Sequence, residues 1–224
     1  MTQPEQLGFG FDAMLREQET AHLPGTMEEA IPYYRNLIER HHAAMLAGDL
    51  PEAMKLRKEA NELAVKMNGG DAGICAGPDA PAYVLERATA APAGTVPMWG
   101  QTGEFAINVG NMPVRIEQDG LFGVGASHMT WPGFAARAVD YQRPFLSETG
   151  YRSFIGCHVD MVPGITPDVF AERMIQAYVA HECKGKLRKI ERSYVEREMA
   201  RRAPKSQQER GVKHGGGPVQ SHPR

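Results

Sequence analysis

Two helix-start signals stand one helix length apart near the front of this chain, and together they leave few choices for the fold of its first third. Thr26 precedes Glu29, and Asp49 precedes Glu52. Each pair is a capping box: a short polar side chain accepts from a free amide of the first turn, with a carboxylate three residues on. Pro51 suits the opening turn of the second helix, where its missing N–H costs nothing. Behind Thr26, Ile31, Tyr34, Ile38, His42 and Met45 recur at helical spacing, and behind Asp49 so do Ala53, Leu56, Ala60, Leu63 and Met67. Pro32 lies inside the second turn, so the first helix is expected to start later or to bend there. Gly48, and then Asn68-Gly69-Gly70, supply the stops. So short a connection makes the two helices antiparallel neighbours. Residues 26–70 therefore read as a helical hairpin. One phrase, Ala47 to Ala53, suits a tetratricopeptide unit, but it occurs once and no solenoid is formed.

The middle of the chain changes period from helix to strand. Residues 71–103 are rich in Gly, Pro and Ala and read as loop, with a short strand over Tyr83–Ala88. Phe105, Ile107 and Val109 then alternate, Gly110-Asn111 is a two-residue hairpin turn, and Val114 and Ile116 return. Asp119-Gly120 reads as a second such turn, followed by Leu121, Phe122 and Val124. Phe134–Val139 and Tyr151–Val159 read as further strands. Thr166, Pro167 and Asp168 start a last helix, with Phe170, Met174, Ala177, Tyr178 and His181 on its apolar face. Leu187, Ile190 and Tyr194 extend it past a weakening Gly185.

The expected fold class is α+β, with the hairpin and the C-terminal helix packed on an antiparallel β-meander sheet. Its divisions are an N-terminal arm (1–25) with a short helix over Phe9–Glu19, the hairpin (26–70), a β-rich core (71–165), a C-terminal helix with a basic end (166–202) and a disordered tail (203–224). The apolar share, 42% of 224 residues, is ordinary for a globular chain. No apolar run reaches the ~18 residues of a membrane span. The first ten residues lack the pattern of a secretory signal, which implies a cytoplasmic protein with no membrane partner.

Charge is unevenly spread. Lys184 to Lys213 holds eleven Lys or Arg against four Glu, whereas residues 1–183 hold thirteen against twenty-three Asp or Glu. Lys184, Arg188 and Arg192 fall at i, i+4 on a continuous helix, and Lys186, Lys189, Arg197, Arg201 and Arg202 widen the positive field. These residues are the expected nucleic-acid contacts, directed to phosphates rather than to bases. The plainer account is a solvated helix with internal pairs, Arg192 with Glu196 and Glu198 with Arg202. The loop from Arg143 to Arg152 mixes charged, hydroxyl and aromatic residues. Arg143 and Arg152 there are the expected ligand-binding residues, with Glu148 and His128 as weak acid/base candidates and Trp99 and Trp131 beside them. The plainer account has Ser147 and Thr149 capping a turn and Glu148 pairing with Arg152.

Other chemistry is poorly represented. Cys75, Cys157 and Cys183 are too far apart in sequence for a C-x-x-C site and read as free thiols. His41 and His42 point about 100° apart on a helix, and His158 with Asp160 makes at most two ligands, so no metal is expected. Gly125-Ala126-Ser127-His128-Met129 misses the nucleophile-elbow pattern, phosphate loops are missing, and no cofactor is implied.

Arg143–Gly156, with Asn68-Gly69-Gly70-Asp71 and Leu85-Glu86-Arg87-Ala88-Thr89, resembles a family of uncharacterised bacterial proteins over about Met27–Lys189. The resemblance implies a bacterial accessory role and carries no functional residue. The leading expectation is a non-enzymatic binding or adaptor protein, engaging a protein partner and touching nucleic acid with its basic end. An enzyme acting on an anionic small molecule at Arg143–Arg152 is the alternative. A third reading is an acidic-bodied inhibitor of a nucleic-acid-binding protein. Homodimerisation is compatible with all three.

Overall fold

A computed structural model of the chain describes residues 14–15, 18–123 and 126–202. The expected disordered tail lies outside the described residues, as does most of the Phe9–Glu19 helix. The hairpin forms as α1 (Met27–Ala47) and α2 (Leu50–Met67). The Thr26 hydroxyl accepts from the Glu29 amide at 3.3 Å and donates to the Glu29 carboxylate, and the Asp49 carboxylate accepts from the Glu52 amide at 3.1 Å. Gly48 ends α1 in the left-handed conformation, φ 76°, which only glycine adopts without strain. Pro32 is accommodated inside α1 without delaying its start.

The residues between the hairpin and the sheet hold a helix where a strand was expected. α3 (Pro81–Thr89) opens on proline and buries Ala82, Leu85 and Thr89, one face at helical spacing. With α1, α2, Leu23 and Leu121 it closes a first core around Leu37, Ile38, Leu56 and Leu63.

The sheet is antiparallel, in the order β1 (Gly103–Val109), β2 (Met112–Gln118), β3 (Phe134–Ala138), β4 (Tyr151–Phe154). Val109 pairs with Met112 across the Gly110-Asn111 turn. Phe105, Ile116 and Ala136 share one register line, and Val114 and Ala138 another, facing inward. The opposite face is wet: Arg115 pairs with Glu104, and Arg137 with Glu117 and over the Tyr151 ring. The expected third strand after Asp119-Gly120 is corrected to loop. Leu121 enters the hairpin core instead, and Phe122 stacks on Tyr34 with ring centroids 5.3 Å apart. The strand expected to reach Val159 ends at Phe154.

α4 (Pro167–His181) packs on the sheet through Phe170, Ala171 and Ile175, a face rotated from the expected one. Trp99, Trp131, Phe134, Phe154 and Phe170 fill this second core, with Trp131 and Phe170 stacked at 4.9 Å. Each such aromatic pair adds about 1 kcal/mol beyond the area it buries. Only the turn end of the hairpin, through Ala44, Met45 and Ala53, reaches this core. The C-terminal helix is not continuous. Lys184 (φ 50°) and Gly185 (φ 74°) are left-handed, and a second helix, α5 (Arg192–Arg202), comes after the break. Among the described residues no helix is long and apolar enough to cross a membrane.

Candidate functional site

The break after α4 decides where the basic residues go. Beyond it the chain runs back along the loop that leaves β3, and Phe145 and Arg188 exchange both backbone hydrogen bonds at 2.8 Å. This short bridge is anchored by Phe145, Leu146 and Ile190, all buried. It brings residues of two separately expected sites, Arg143 and the lysine turn (Lys184-Gly185-Lys186), onto one surface. The i, i+4 face of Lys184, Arg188 and Arg192 does not exist, because those residues are not on one helix.

Between the β1–β2 turn, the 138–145 loop, the last turns of α4 and the lysine turn lies a groove of about 640 Å³. Met112, Pro113, Val179 and Leu187 give it apolar walls; Asn111, Gln176, Asp140 and Arg143 supply polar groups. Lys184 and Lys186 flank Gly185, which lines the groove, and both are exposed, as is Lys189. Among the described residues these three lysines and Arg143 have no carboxylate partner. Asp140 Oδ1 is taken by the Gln142 amide at 2.9 Å.

The remaining expected residues are placed elsewhere. Arg188 reaches Glu148 at 4.0 Å, so Glu148 does not pair with Arg152. Arg152 lies over the Tyr178 ring at 4.6 Å and does not line the groove. Ser147 and Thr149 do cap a turn, through the backbone of Tyr151. Arg192 pairs with Glu196 at 2.6 Å, Arg201 with Glu198 at 3.9 Å, and Arg197 stacks on Tyr194. The side chain of Arg202 is outside the described residues. His128 is exposed and bonded to Ser127 at 2.7 Å. Neither His128 nor Glu148 lines the groove, and Trp99 and Trp131 are core residues.

A second polar centre was missed in the sequence. Arg57 is 4% exposed and its guanidinium is saturated. Nε donates to His41 Nε2 at 2.9 Å, Nη2 to the Thr130 carbonyl at 3.1 Å, and Nη1 to the carbonyls of Ala126 and Met129. Because His41 Nε2 accepts, its Nδ1 carries the proton and donates to the Trp99 carbonyl at 2.9 Å. His42 Nδ1 accepts from the Trp99 amide at 3.0 Å, so the two neighbouring histidines grip one residue. Burial and the adjacent Arg57 push His41 down to about 3, keeping it neutral. Burial lowers Arg57 to about 10, still a cation at neutral pH. This centre ties α1 and α2 to the 126–130 loop and leaves no open position for a ligand.

A third group lies under Gly120. Burial raises the Glu86 carboxyl to about 7, with the Phe122 amide opposing the shift and Asp119 adding to it. Among the described residues, Tyr34 Oη, Glu86 Oε1 and Thr102 Oγ1 are buried without hydrogen-bond partners. Among the same residues no three metal-ligating side chains gather.

No family model matches the chain, and no solved structure does. Sequence comparison is more informative. The chain is similar to Protein KlcB of Escherichia coli. One KlcB is 32% identical over 197 residues, 87% of this chain and 46% of that protein. Another is 42% identical over 114 residues, 50% of this chain and 23% of that protein. The matched regions thus span less than half the length of these relatives. The name KlcB states no activity, and none is carried to this chain. Both relatives are bacterial, in line with the resemblance that the Arg143–Gly156 segment carries.

Proposed function

We propose that the protein is a cytoplasmic binding protein whose cationic surface, formed by Arg143, Lys184, Lys186 and Lys189, engages the phosphates of nucleic acid. One observation carries the reading. The Phe145–Arg188 bridge puts cations from two distant segments on one exposed surface, free of carboxylate partners among the described residues. Cations already paired gain little from a new anion, whereas solvated ones release counterions from phosphate. α5 contributes less on this account, since Arg192, Arg197 and Arg201 are engaged within their own helix. Contacts of this kind select for phosphate and not for sequence.

Filter binding of random-sequence DNA and RNA over a range of salt tests the proposal. The full chain should bind at low salt and weaken steeply as salt rises. Lys184→Glu/Lys186→Glu/Lys189→Glu should lower affinity at least tenfold. Unchanged binding by that variant would remove the proposal.

A further inference from the structure

The groove beside the lysine turn is larger and more apolar than phosphate contact requires. We infer that it receives a base of single-stranded nucleic acid whose phosphates lie along the cationic rim, an inference that rests on the polyanion reading above. The volume of about 640 Å³ falls in the range of sites that enclose small molecules, roughly 300–1,000 Å³. Its walls offer Met112, Val179 and Leu187 to the face of a planar ring. Asn111 and Gln176 line it as well, and side-chain amides match the donors and acceptors of a base edge. The Gln176 amide nitrogen donates to Glu172 at 2.9 Å, which leaves its carbonyl to accept.

Charge sets the orientation. The exposed Lys184 and Lys186 flank the lining residue Gly185, and Arg143 lines the groove in one turn with Asp140, whose carboxylate disfavours phosphate inside it. Base inward and backbone outward is the arrangement that satisfies both. A duplex keeps its bases stacked and paired, so it presents nothing that enters a concave apolar site. Ala180 lies on the last turn of α4, outside the buried core, and lines the groove, so Ala180→Leu narrows it without entering the core and without adding an aromatic ring for a base to stack on.

Fluorescence anisotropy at low salt with an oligothymidylate, an abasic strand of equal length and a duplex tests the inference. The wild-type chain should hold the oligothymidylate at least tenfold more tightly than either of the others. Ala180→Leu should lower oligothymidylate affinity toward the abasic level and leave abasic affinity unchanged, which also reports that the variant folds. Equal wild-type affinity for all three overturns the base site while sparing the phosphate reading. Failure of all three to bind overturns both.

Discussion

Arg57 and Arg143 are the same residue type in opposite circumstances. Arg57 is enclosed, and carbonyl oxygens and a neutral histidine occupy its donors. Arg143 is exposed beside lysines and lines a groove. The comparison separates holding from binding. A buried cation whose donors are used fixes the fold, and an exposed one with unused donors is available to a ligand. The regions should therefore respond to mutation in opposite ways, one in stability and the other in affinity.

The largest expected effect is on Arg57. Arg57→Ala strands the carbonyls of Ala126, Met129 and Thr130 and empties a buried site, which costs about 3–5 kcal/mol in urea unfolding. Arg57→Lys should recover little, because an ammonium lacks the planar fork. Oligonucleotide affinity of the folded fraction should stay within about twofold of wild type; a larger loss would break the separation. Next is Gly100, at φ 87°, where a Cβ would lie 2.7 Å from His41 Nδ1 and 2.5 Å from Leu121. Gly100→Ala should cost about 2–3 kcal/mol by the same assay, through strain and loss of the His41–Trp99 contact.

The third effect is on pH dependence. The folded Glu86 carboxyl keeps its proton to about pH 7, while an unfolded one releases it near 4.5. Folding therefore takes up a proton in that window, and stability falls as pH rises through it. His41 acts in the opposite sense: its folded value of about 3 lies below the ordinary 6.5, so stability falls as pH drops through that window. Glu86→Gln should match wild type near pH 4.5 and exceed it by about 2–3 kcal/mol at about pH 8 in urea unfolding. Equal pH profiles for the two proteins would contradict this. The smallest effect on stability, within about 0.5 kcal/mol, is expected for the triple lysine variant, since those side chains are exposed.

The hairpin was readable because its caps and stops are local: Thr26, Gly48 and Asp49 act on amides within a few residues. So was the Gly110-Asn111 turn, which fixes the β1–β2 register. α3 was misread because aromatic and branched residues at Tyr83 and Val84 look like strand, although Pro81 with Ala82, Leu85 and Thr89 carried a helical signal. Arg57 had one too, standing at i+4 from Ala53 and i−3 from Ala60 inside the apolar stripe of α2. The groove was not readable. It depends on the Phe145–Arg188 bridge, a pairing between segments far apart in the chain, and on a helix break that Gly185 signalled only in part. Of the two arginines expected to share a site, Arg143 lines the groove and Arg152 lies over the Tyr178 ring.

Amide hydrogen exchange of the full chain, with and without a single-stranded oligonucleotide at low salt, tests the central claim most directly. Added protection over residues 138–146 and 183–190, with the Arg57-bound 126–131 loop and α5 unchanged, is the predicted result. Protection confined to Arg192–Arg202, or none anywhere, would contradict it.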